Sequence, residues 1–200
     1  MKRALSVIAT SSVLIGVLTA CASPAPEQSS GMHVSRAAIY GSVDELLADT
    51  TDVVVVKVES AKVEQPADKG DGPITLVTAS VEDAVGRADI GRSRAEAGYK
   101  VGSIEPGDSI VIRQHGEQGL DGAPAPFLEP GEEYLLFLNP ASLEGEAALH
   151  FTVVGIDAGI YAHSEDDQFS WIASDPKFQD EHAEGPVDDL PERLSLDDLR

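Results

Sequence analysis

The chain has 200 residues, 14 basic and 35 acidic, for a formal net charge of −21. That balance excludes a surface built for nucleic acid, because phosphate binding rests on Lys and Arg displacing counterions. It also excludes electrostatic adhesion to anionic headgroups. A 42% hydrophobic content excludes a chain too polar to fold.

Residues 1–21 read MKRALSVIATSSVLIGVLTAC. Lys2 and Arg3 make a positive start, and Ala4 to Val17 is mostly apolar. The run is short and rich in Ser and Thr, which suits a signal peptide better than a membrane-spanning helix. Leu18, Thr19, Ala20 and Cys21 close it and resemble the lipobox of bacterial lipoproteins. The resemblance implies lipid transfer to the Cys21 sulfur and cleavage between Ala20 and Cys21. Small residues before the cut fit a tight peptidase site, and only a thiol makes the thioether. Cys21 is the one cysteine of the chain, so no internal disulfide can form and the fold must stand on its core.

Residues 1–20 are therefore expected to be a signal peptide, and 21–36 a lipidated flexible tether rich in Pro, Ser and Ala. Two acyl chains anchor a protein stably where one does not. Such an anchor is needed here, since 12 basic and 35 acidic residues remain from Cys21 onward. The expected address is the extracytoplasmic face of the cell membrane, held through lipid on Cys21.

In the body, Ser42 with Glu45 three residues later fits a capping box. Val43, Leu46 and Leu47 then predict about two helical turns ending near Thr50. Residues 52–63 begin as a continuous β-branched run and end in alternation, as expected of a strand that starts buried on both faces. A Pro/Gly loop follows, then a second strand over 74–85 with Val77, Ala79 and Val81 on one face. Residues 86–98 show no strong period and are expected to form an exposed excursion.

Pro106-Gly107-Asp108 turns the chain into a strand over 109–114, with Ile110 and Ile112 inward. Pro130-Gly131-Glu132 leads into Glu133–Asn139, the most hydrophobic strand and so the one expected at the centre. Strands over 149–154, 159–162 and 168–172 complete the set. Short strands at turn-marked intervals predict a mainly β fold, a small antiparallel barrel or sandwich. It is expected to span 37–174, with an acidic tail over 175–200. That tail is expected to be largely mobile, with Ser195 and Asp198 able to cap a final turn and Leu196 and Leu199 able to dock it.

The succession DVVVVKVESAKVE, ITLVTASVEDAVG, GDSIVIRQHG, FLEPGEEYLLFLNP and FTVVGIDAGIYA resembles exported bacterial lipoproteins of unassigned function. More distantly it resembles the OB-type barrel of netrin-like domains and tissue inhibitors of metalloproteinases. The resemblance covers roughly residues 50–162 and implies an OB-like barrel. Those inhibitors use a free N-terminal cysteine to chelate the target's zinc. Here the only cysteine is the presumed lipid site, so the fold carries over and the inhibitory residues do not.

No catalytic motif is present: G-x-S-x-G, H-E-x-x-H, the P-loop glycine pattern and C-x-x-C are all missing from the sequence. No catalytic residue and no cofactor is implied. His33, His115, His150, His163 and His182 share no ligand spacing and read as surface residues. Glu165, Asp166 and Asp167 supply oxygen ligands that could hold Ca²⁺, though without the spaced pattern of a dedicated loop. Tyr161 and Trp171 read as core packing rather than a contact patch. Arg87, Arg92 and Arg94, with Asp89 and Glu96, make a mixed-charge loop, more in keeping with a solvated surface than with an anion site. The leading expectation is a non-enzymatic envelope module that binds a protein or small ligand through its loops. An envelope hydrolase with an unrecognised site and a Ca²⁺-dependent structural lipoprotein are the alternatives.

Overall fold

The computed structural model describes residues 38–65, 72–86, 90–118, 126–164, 168–172 and 188–200. The protein is mainly β. Eight strands form one mixed sheet: β1 (Asp52–Glu64), β2 (Ile74–Ala84), β3 (Ser109–His115), β4 (Glu133–Pro140), β5 (His150–Val153), β6 (Ile160–His163), β7 (Phe169–Trp171) and β8 (Arg193–Leu194). Five of them close a ring in the order β1-β2-β3-β5-β4-β1, giving an OB-like barrel, and β6, β7 and β8 extend the sheet from β4. One feature differs from the antiparallel expectation: β3 and β5 run parallel, with Val111 opposite His150 and Ile112 opposite Phe151. The chain leaves β3, crosses to build β4, and returns to the far side of β3, so the pair cannot be a hairpin.

The hydrophobic patterns explain where each strand sits. Val54, Val56 and Val58 of β1 fill the barrel interior, while Val53 and Val55 face outward into a second core. On β4, Tyr134, Leu136 and Leu138 point in, and Leu135 and Phe137 point out. These two strands pair with each other, so the two continuous apolar runs form the wall between two cores. β4 also pairs with β5 and β6, which makes it the central strand. β2 and β3 alternate strictly: Val77, Ala79, Val81, Ile110 and Ile112 are buried inside, and the residues between them face solvent. Such alternation is what a strand with one wet face requires. Register shifts in β1 at Val55/Val56 and Val58/Ser60 bend it round the barrel.

The outer core is roofed by α1 (Val43–Ala48) and by the two ends of the described body. Ser42 caps α1 by accepting from the Glu45 N–H, and the Glu45 carboxylate accepts from the Gly41 N–H at 2.8 Å. Leu46 and Leu47 are fully buried. The last residues pack here too, so the expectation of a mobile tail does not extend to 188–200. Leu190, Leu194 and Leu199 are buried, Leu196 packs against them, and β8 pairs with β7. Apolar leucines between acids give this segment something to bury. The anticipated final turn is present: the Asp198 carboxylate accepts from the Ser195 N–H (2.9 Å) and hydroxyl (2.7 Å). Beside the roof, Tyr40 N–H donates to the buried Asp188 carboxylate at 2.7 Å, and Asp189 N–H donates to the Tyr40 carbonyl.

The excursion after β2 contains a five-residue helix, α2 (Arg92–Glu96), that weak periodicity did not reveal; none of its residues is buried. Ile90 and Gly91 pin it. Gly91 has φ 67°, and a Cβ there would lie 2.5 Å from a Val101 methyl and 2.9 Å from the Thr50 carbonyl. Only glycine fits both demands. Across the barrel floor, buried Asp52 accepts from the Ser103 and Ile104 N–H groups at 2.6 and 3.0 Å, which seats Ile104 in the interior core.

Candidate functional site

Two cores lie on opposite sides of the β1–β4 wall, and this makes the barrel lopsided. α1 and the closing segment cover the outer side of β1, β4 and β6. The outer side of β2, β3 and β5 has no layer packed on it among the described residues. This open face is the candidate site.

The register sets its layout. One row runs Lys62, Leu76, Arg113; the next runs Ser60, Thr78, Val111, His150; a third runs Glu64, Ile74, His115. Neighbours within a row lie about 5 Å apart, and successive same-face residues along a strand roughly 6.6 Å apart. Lys62 and Arg113 are thus separated by about 10 Å, with Leu76 between them. Ile74, Leu76 and Val111 are half-buried. Leu149, immediately before His150, is 72% exposed and forms an apolar rim on the β4–β5 connection with Leu143.

The electrostatics of this face differ from those of the molecule. Lys62 pairs with Glu64 at 2.8 Å. That hydrogen bond and then the Lys62 charge hold the Glu64 carboxyl below the ordinary carboxylate range, with smaller pulls from His150 and Arg113. Glu64 is fully exposed, so this reports the local field and not a stability gain. Arg113 is half-buried and makes no ion pair or side-chain hydrogen bond among the described residues. The other half-buried Lys or Arg among the described residues is engaged: Arg94 pairs with Asp49 at 2.9 Å. An unpartnered, half-desolvated guanidinium in so acidic a chain is therefore a distinguishing feature of the face.

The structure scatters the residues singled out from sequence. His115 is exposed and His150 half-exposed on this one face, as their strand positions implied. His163 is exposed at the far end of the sheet, edge-on to Phe169. Among the described residues no three His, Cys, Asp or Glu side chains converge as a metal site would require. Glu165, Asp166, Asp167, Arg87, Asp89, His33, His182 and the motif Leu18, Thr19, Ala20 and Cys21 lie outside the described residues. Arg94 is absorbed by the scaffold, donating also to the Asp49 carbonyl and lying over the Tyr99 ring at 5.7 Å. Arg92 and Glu96 lie on α2 without a buried side chain.

Tyr161 is fully buried against Phe137, and Trp171 is half-buried opposite it, donating its indole N–H to the Asp157 carbonyl. Both pack as core residues. Arg113, Leu76 and Val111 were missed as a group. Their signal was present in the wet half of two alternating strands, but which strands are neighbours is not written in local pattern. Among the described residues no helix is long and apolar enough to cross a membrane. No family model matches the chain, and no curated protein matches it.

Proposed function

We propose that the protein is a lipid-anchored binding module of the cell envelope, held through Cys21, that engages a partner across the open face of its barrel. The observation that carries the binding half of this reading is the lopsided cover: the outer core covers one wall of the barrel, and the other wall leaves Arg113, between Leu76 and Val111, unpartnered among the described residues. OB-type barrels commonly bind across the strand 2–3 face and its bordering loops, which is an argument by fold and so supports the place more than the ligand. The anchoring half rests on the single cysteine ending an apolar leader with the order Leu18, Thr19, Ala20, Cys21.

Intact mass of the membrane-extracted protein, beside a Cys21→Ser variant, tests the anchor. The expected result is a chain beginning at Cys21 with added acyl mass, lost together with membrane association in the variant. An unmodified chain cut elsewhere would overturn the anchor and leave a freely diffusing factor.

A further inference from the structure

We propose that the open face binds an extended peptide carrying a single carboxylate, which Arg113 receives while apolar side chains settle over Leu76 and Val111. The inference rests on the binding reading above and names the class of partner. Four observations converge on it. First, Arg113 is half-buried and unpartnered among the described residues, and a planar guanidinium with five donors matches a carboxylate bidentately. Second, the outward residues of β2 and β3 include no Phe, Tyr or Trp. Sugar rings and bases are held chiefly by stacking on aromatic platforms, so this face lacks the usual means of holding either.

Third, β5 reaches β3 only at Val111 and Ile112. The β3 edge from Arg113 to His115 has no strand hydrogen-bonded to it on that side among the described residues. An extended peptide can add to such an edge through main-chain hydrogen bonds, its alternate side chains falling on the outer face. Fourth, the net charge of −21 repels a polyanion at range, while a lone carboxylate within a Debye length of Arg113 (about 8 Å at physiological salt) feels mainly its local field. Arg113 and His150 both draw the exposed Glu64 carboxyl downward, though less than its own partner Lys62 does. Charge complementarity therefore selects one acid, flanked by uncharged residues.

The test uses the full chain in neutral detergent and an amide-capped peptide of sequence Val-Thr-Glu-Thr-Val carrying an uncharged dansyl label, read by fluorescence anisotropy. Its counterparts carry Gln in place of Glu, or Glu at all three central positions. The one-acid peptide is expected to bind tightest. Arg113→Gln should weaken it at least about tenfold, the scale of losing a charge-assisted pair. Arg113→Lys should recover part of that, and Lys100→Gln, a base away from the face, should change nothing.

Equal binding by Arg113→Gln, equal binding of the Gln peptide, tighter binding of the three-acid peptide, or no binding by the parent chain would each overturn the proposal. So would tighter binding of an oligouronate or a single-stranded oligonucleotide. Binding unaffected by Arg113→Gln would leave a module that binds elsewhere. The intact mass reports on the anchor independently, so the two failures are distinguishable.

Discussion

Tyr161 lies at the centre of the outer core with its ring 6.0 Å from that of Phe137, and its hydroxyl has no hydrogen-bond partner among the described residues. Burial pushes its phenol well above the ordinary tyrosine range, with a smaller contribution from the negative charge of Asp188. A buried hydroxyl without a partner costs about 1–3 kcal/mol relative to a paired one. Tyr161→Phe, which deletes that oxygen and keeps the ring, is expected to raise stability by about 1 kcal/mol in chemical denaturation. A loss of stability would mean that the hydroxyl is satisfied in solution. Sequence reading placed Tyr161 in the core, as the structure has it. That its oxygen would be stranded depends on side chains from β4 and the closing segment, far away along the chain.

At the scale of elements, the closing segment 188–200 is the part of the body whose character changed most between sequence and structure. Its composition is acidic, and acid runs read as solvated. Yet Leu199 is fully buried, and β8 completes the sheet beside β7. Leu199→Ala is expected to cost about 2–5 kcal/mol through the lost transfer energy and the cavity left behind. Early tryptic cutting at Arg193 should accompany it, because the freed segment exposes that bond. Protection equal to the parent chain would show that the segment holds without Leu199. The sequence did carry the local half of this element, the Ser195–Asp198 cap. It could not carry the distant half, the Tyr40–Asp188 and Arg200–Asp83 contacts, which join residues 148 and 117 positions apart.

For the whole molecule, three buried tyrosines set an alkaline limit. Burial raises Tyr40, aided by its hydrogen bond to Asp49 at 2.8 Å, and burial likewise raises Tyr134 and Tyr161. Their folded-state values lie above the unfolded value of 10.0. The stability linked to keeping them neutral is therefore fully present below pH 10.0 and is lost as pH rises beyond it. A pH titration at 295 nm, followed beside circular dichroism, is expected to show a late phenolate step that coincides with unfolding. Complete phenolate absorbance in a still-folded protein, at the pH of free tyrosine, would contradict this.

Strands β1 to β7, the cap of α1, the two-sided burial of β1 and β4 and the mainly β class were set by sequence alone, because each is a local pattern: period two, continuous β-branched runs, and Ser42 three residues before Glu45. Tertiary structure alone decided the parallel β3–β5 pair, the pinned α2 and the docking of 188–200. It also decided which wet strand faces lie side by side. The reason is physical. Alternation says that one face of β2 and one face of β3 are exposed, but only closure of the ring puts Lys62, Leu76, Arg113 and His150 on one surface. Only the placement of α1 and the closing segment over the opposite wall leaves that surface uncovered among the described residues.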